Sequence, residues 1–125
     1  MRKLQMTIAN VVIRAELFET PTADAIYGSL PFSAKANTWG DEVYFSVPAS
    51  VLKEEDARAV VEAGELAFWV EGSSIAIGYG PTPISYGDEI RLAAPTNIWG
   101  RALDDVRLLS SINNSDAIEV DAIDT

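Results

Sequence analysis

A chain of 125 residues is long enough to bury one hydrophobic core without staples, and 48% hydrophobic against 22% charged residues sets it apart from the composition of disordered chains. With 19 acidic against 9 basic residues the formal charge is −10, which repels a phosphate backbone and an anionic membrane surface, so neither nucleic acid nor membrane is an expected partner. Cysteine and histidine are both absent, which excludes a disulfide framework, a thiolate nucleophile and the usual zinc ligands; no metal and no cofactor is expected.

At the start of the chain Arg2 and Lys3 give a positive head, but Gln5, Thr7 and Asn10 interrupt any apolar stretch of signal-peptide length. No window reaches the roughly 18 consecutive apolar residues of a membrane span, and the cytoplasm is the expected location. Leu4, Met6 and Ile8 alternate with polar neighbours. After an Ala9-Asn10 corner, Val11, Ile13, Ala15 and Leu17 alternate with Val12, Arg14, Glu16 and Phe18, which predicts two antiparallel strands joined by a tight turn. Thr20 and Pro21 read as N-cap and first helical residue, since the hydroxyl accepts from an orphan N–H and proline has none to leave unpaired. Ala23, Ile26, Tyr27 and Leu30 then share one face of a short helix that Pro31 ends.

Residues 32–37 read as a strand, and Val43, Phe45 and Val47 alternate with Tyr44 and Ser46 in the next, with Asn37-Thr38-Trp39-Gly40 as the turn between them. Residues 53–65 combine a helix-tolerant charged stretch with Val60-Val61 and are read as a loop holding one helical turn. Residues 66–70 and 74–79 flank Glu71-Gly72-Ser73, a hairpin in which Gly72 is expected to supply the unusual backbone angle. Residues 90–94 and 96–103 are two further β-like segments. Leu103, Val106, Leu109 and Ile112 recur at spacing three behind Asp104 and Asp105, whose charge suits a helix start, so a second short helix is predicted. Ile118, Val120 and Ala122 form a closing strand. About eight strands and two short helices, with closely spaced turns, predict a mainly β single domain over residues 1–125: a closed barrel capped by helices.

The pattern Asn-x-Trp-Gly occurs as Asn37-Thr38-Trp39-Gly40 and as Asn97-Ile98-Trp99-Gly100, holding two of the three tryptophans. The flanks share no pattern, so the echo is not a domain repeat. Trp39 and Trp99 are candidates either for stacking plates in a pocket or for plugs of the barrel core. Tyr44 and Phe45 point to opposite faces of one strand, which leaves at most one of them for the core. Gly80-Pro81-Thr82-Pro83 makes a rigid loop that as a ligand rim would present Tyr79, Thr82 and Pro83, and that turn chemistry alone also explains. Trp39, Tyr44, Tyr79, Thr82, Pro83, Asn97 and Trp99 form the candidate ligand-binding set. The acidic pairs Asp41-Glu42, Glu54-Glu55-Asp56 and Asp104-Asp105 are expected on solvated surface or at a helix start, because adjacent side chains diverge.

The stretch Glu16-Leu17-Phe18-Glu19-Thr20-Pro21-Thr22-Ala23-Asp24-Ala25-Ile26-Tyr27 resembles the cyclophilin opening, in which a strand runs into a helix. Taken with Asn37 to Ser46, the Gly80-Pro81-Thr82-Pro83 loop and Asn97-Ile98-Trp99-Gly100, the chain resembles over nearly all its length a small prokaryotic cyclophilin-like family, formerly described as a domain of unknown function. That resemblance implies a closed eight-stranded cyclophilin-like β-barrel with a short helix at each end. It carries over no catalytic set. Cyclophilins proper have a Phe-x-Arg-Val strand whose Arg serves catalysis, a Gln-Gly-Gly stretch and a pocket His, whereas Val43-Tyr44-Phe45-Ser46 stands where the Arg-bearing strand would fall, and the other two features are absent. Arg91 and Arg101 are the remaining candidate donors to a twisting prolyl amide, both in β-like segments where a solvated guanidinium is the base expectation. The expected function is a binding module for a peptide or small ligand, without catalytic residues. The alternatives are a divergent peptidyl-prolyl cis-trans isomerase and, because related barrels occur in subunits of bacterial 5-oxoprolinase-type enzymes, a non-catalytic subunit of such an enzyme.

Overall fold

The computed structural model describes residues 1–123 and resolves the alternation of the sequence into ten strands. β1 (Lys3–Ile8) and β2 (Val11–Leu17) pair antiparallel from Lys3 opposite Glu16 to Ile8 opposite Val11. That register puts Leu4, Met6, Ile8, Ile13, Ala15 and Leu17 on one face, and all six are buried. The helix α1 (Pro21–Gly28) begins as its sequence dictates: Thr20 Oγ1 accepts from the Ala23 N–H at 3.0 Å, and Ala23 and Ile26 face the core.

The remaining strands are β3 (Phe32–Lys35), β4 (Asn37–Thr38), β5 (Glu42–Ser46), β6 (Arg58–Val61), β7 (Glu65–Trp69), β8 (Ser74–Gly78), β9 (Ile90–Ala102) and β10 (Ala117–Ile123). Their order in the sheet is β3-β10-β1-β2-β9-β7-β8-β5-β4, with β6 on β9 outside that path. β3 and β4 are halves of one run interrupted at Ala36, the first paired with β10 and the second with β5. The two ends of the order therefore meet in one stretch of chain and the sheet closes. With β6 left outside and β3 and β4 counted as one, the ring has eight wall strands, as expected. Inside it Val43, Phe45, Leu66, Phe68, Ile75, Ile77 and Trp99 pack on the β1–β2 face.

Four local readings are corrected. Residues 53–65 hold the expected turn, with the Ala57 N–H donating to Glu54 O at 3.2 Å, but continue into β6, whose Val61 is buried. The segments 90–94 and 96–103 are one strand, β9. Pro95 is tolerated within it because the pairing to β6 slips there, Arg91 facing Val60 while Thr96 faces Arg58, so no ladder bond needs the missing N–H. The second helix is a 3-10 helix over Val106–Ser111: spacing three is its own period, and it buries Val106 and Leu109. Its cap is Asp105, which accepts from the Arg107 N–H at 3.0 Å, while Asp104 accepts from Arg14 at 2.9 Å. In the β7–β8 hairpin the left-handed residue is Ser73, at φ +44°, not Gly72. Gly72 is required for space, since a Cβ there would collide with the Trp69 indole.

The length of β9 positions everything that follows. Its second half is a wall strand between β2 and β7, and its first half leaves the wall to run with β6 as an arm. The arm lies over the outer faces of β7 and β8, where Ala67, Ala76 and Gly78 alternate with the inward Leu66, Phe68, Ile75 and Ile77. Those small residues make room for Ile90, Leu92 and Val61 in a second apolar cluster; a Cβ on Gly78 would run into Ile90. Among the described residues no helix is long and apolar enough to cross a membrane.

Candidate functional site

Where the arm reaches β5 the packing opens into a pocket of about 160 Å³. β5 supplies Glu42 and Tyr44, the alternates of the inward Val43 and Phe45. Tyr44 stands opposite Ala76, and Trp69 lies two pairs further along, opposite Ser74. The Tyr44 and Trp69 rings meet edge to face, with centroids 6.4 Å apart and planes at 89°, and Gly72 beneath the indole fixes its position. Leu92, Ala93, Ala94 and Thr96 of the arm form the opposite wall.

Trp39 arrives through the β4–β5 turn. Its backbone N–H donates to Glu42 O at 3.0 Å, and Gly40 turns the chain at φ +58°. A Cβ on Gly40 would stand 2.8 Å from Pro83 Cδ and 2.9 Å from Thr82 Cα, so this glycine is required both for its angle and for the docking of the 81–83 loop.

The chemistry of the pocket lies in Glu42. Its side chain is only 6% exposed, and Oε1 has no hydrogen-bond partner among the described residues. Loss of water disfavours the charged form, and burial pushes the carboxyl up to about 7 from 4.5. A buried carboxylate without a donor is costly, so such a group suits a site where a ligand supplies the missing donor or countercharge. Among the described residues the lining holds this one acid, the Tyr44 phenol, and no lysine or arginine. No group of three or more acidic side chains suited to a metal ion occurs among the described residues.

Of the residues named from sequence, the structure brings Trp39 and Tyr44 together at this pocket. The others lie elsewhere. Trp99 is fully buried in the barrel core, its Nε1 donating to Ala67 O at 3.0 Å. Asn97 is also fully buried: its Nδ2 donates to Thr22 Oγ1 and Leu52 O, both at 2.9 Å, and its Oδ1 accepts from the Glu54 N–H at 2.8 Å, pinning the loop after β5 to α1. Thr82 is buried, its hydroxyl bonded to Arg91 O. Tyr79 packs part-buried against the main core, and burial with the Asp41 charge nearby raises its phenol. Pro83 is exposed beside Gly40. Arg91 pairs with Glu89 at 2.6 Å and Arg101 with Glu16 at 2.9 Å, both outside the pocket lining.

Glu42, Trp69 and the arm were not among the sequence candidates. A partial signal existed: Glu42 and Tyr44 are two residues apart on a strand whose alternate face is apolar, directly after the Trp39-Gly40 turn. Nothing local announced that a segment some fifty residues later in the chain would form the opposite wall of a pocket at that face.

A family model described as cyclophilin-like matches residues 2–121. The chain is similar to the hypothetical protein AF2241 from Archaeoglobus fulgidus, known from a solution structure, at 34% identity over 96% of this chain and 93% of that one, with a TM-score of 0.81. It also resembles McbB, solved in complex with tryptophan, at 14% identity over 94% of this chain and 44% of McbB, with a TM-score of 0.69; that likeness is one of fold alone. No curated protein matches the chain.

Proposed function

The chain belongs to the cyclophilin-like family, and from that premise we propose that it is a binding module for a small ligand, received in the pocket between the β9 arm and the outer face of the barrel. The observation that carries this reading is Glu42, buried at a pocket with aromatic walls, its Oε1 without a partner among the described residues. An apolar, aromatic lining with a few convergent polar groups is the usual anatomy of a ligand site.

Size narrows the ligand. A pocket of about 160 Å³ matches the roughly 150 Å³ cavity that accommodates benzene and falls below the ~300 Å³ at which sites for drug-sized molecules begin. It suits one ring or one compact head group, which favours a small molecule over an extended peptide. Arg91 and Arg101 are both engaged by carboxylates, so the isomerase alternative gains no donor in this pocket. McbB's complex with tryptophan recommends an indole compound as the first probe.

The test is a titration of the protein with indole and with L-tryptophan, followed by the indole N–H resonances in NMR. Trp39 and Trp69 are expected to shift while Trp99 stays unmoved. Shifts absent from Trp39 and Trp69 with both probes would overturn the reading.

A further inference from the structure

We propose that the Glu42 pocket is a receptor for an organic cation, a quaternary or substituted ammonium group held against the Tyr44 and Trp69 rings and neutralised by the Glu42 carboxylate. This inference rests on the pocket being the ligand site and adds the chemical class of the ligand.

Three observations converge on it. Tyr44 and Trp69, with planes at 89° and centroids 6.4 Å apart, form two walls of a corner, and Trp39 lines the same space. Aromatic faces are electron-rich, and rings set at right angles around one point are how proteins enclose ammonium groups that carry no N–H to donate. At the same pocket Glu42, a residue more than nine-tenths buried, has Oε1 without a partner among the described residues. A neutral donor such as an amide would satisfy that oxygen but leave the ring faces without a charge to attract. An anion would meet a carboxylate and aromatic faces, with no lysine or arginine in the lining to receive it. A cation answers both halves of the pocket, and the net charge of −10 concentrates cations at the surface from which it enters.

Among the described residues no lysine or arginine lines the pocket beside Glu42. On its own strand the titratable neighbour in the pocket is Tyr44, across on β8 stands Gly78, and the arm presents Leu92, Ala93, Ala94 and Thr96. The Asp41 side chain lies against Gly80. Arg91, at the base of the arm, is held by Glu89 and lies 5.2 Å from the centre of the Tyr86 ring. The Glu42 carboxyl, held at about 7 by burial, therefore meets an entering cation mostly protonated at pH 6 and mostly ionised at pH 8. Since the cation prefers the ionised form, binding at pH 6 releases a proton.

The experiment compares choline with 3,3-dimethylbutan-1-ol, in which carbon replaces the quaternary nitrogen, by NMR and by calorimetry at pH 6 and pH 8 in two buffers of different ionisation enthalpy. Choline is expected to shift Trp39 and Trp69 and to bind about tenfold more tightly at pH 8 than at pH 6, with close to one proton released at pH 6. The alcohol should bind more weakly and without pH dependence, and Glu42→Gln should bring choline down to its level. If wild type binds the alcohol as tightly as choline, or choline with equal affinity at both pH values, the cation inference is overturned. Indole shifts at Trp39 and Trp69 then decide separately whether the pocket reading stands.

Discussion

Glu42→Gln is expected to gain about 3 kcal/mol of stability relative to wild type as pH rises from 4 to 8, measured as the difference between their urea unfolding free energies at each pH. In the unfolded chain this carboxyl loses its proton near 4.5, and in the fold near 7. Between those values the native state holds a proton that the unfolded state has released, so protonation favours folding. The contribution is fully present below the unfolded value and is lost as pH rises through 7, above which wild type carries a buried carboxylate with an unpaired oxygen. Glutamine has nothing to titrate. The difference between the two proteins is the quantity to follow because other acids pull the opposite way: the Arg58 guanidinium holds Glu65 below its ordinary range, and Arg14 does the same for Asp104. Stability from those pairs is lost as pH falls and is common to both proteins. A difference that stays flat from pH 4 to 8 would mean that Glu42 is solvated or paired in solution.

The two Asn-x-Trp-Gly tryptophans are expected to separate cleanly under substitution. Trp99→Ala removes the largest fully buried side chain, opens a cavity in the barrel core and leaves Ala67 O without its 3.0 Å donor. A cost of about 4 kcal/mol follows from transfer and cavity terms, a large share of the roughly 5–15 kcal/mol that holds such a domain folded. Trp39→Ala acts on a half-buried residue at the pocket and should cost about 1 kcal/mol. It should nevertheless abolish the response of Trp69 to indole. Denaturant unfolding checks the first number and NMR titration the second. Equal stability losses, or undiminished binding in the Trp39 variant, would contradict the division of roles.

That division explains how much the sequence could disclose. Period-two alternation in residues 3–17, the Thr20-Pro21 cap and the 66–79 hairpin are local signals, and each became the element it described. The barrel ring also followed, since turn spacing and family resemblance both pointed to eight wall strands. The failures at Gly72, Asn97 and Glu42 share one cause. Whether Gly72 serves an angle or makes space depends on the Trp69 indole, and whether Asn97 reads a ligand or pins a loop depends on Thr22 and Glu54, far away in the chain. Glu42 shows this best. As one of two adjacent acids after a turn it belongs by default on solvated surface, yet it is buried, at a pocket whose opposite wall comes from the distant β9. Two of the seven candidate ligand residues, Trp39 and Tyr44, meet at the pocket because the turn and the strand that carry them are contiguous with Glu42.

Whether Glu42 is a buried, unpartnered acid waiting for a cation is measured most directly by carbon-13 NMR of its side-chain carboxyl against pH, with and without choline. A midpoint near 7 that moves down when choline is added is the expected result. A midpoint near 4.5 that choline leaves in place would contradict both the burial of the charge and the chemistry assigned to the pocket.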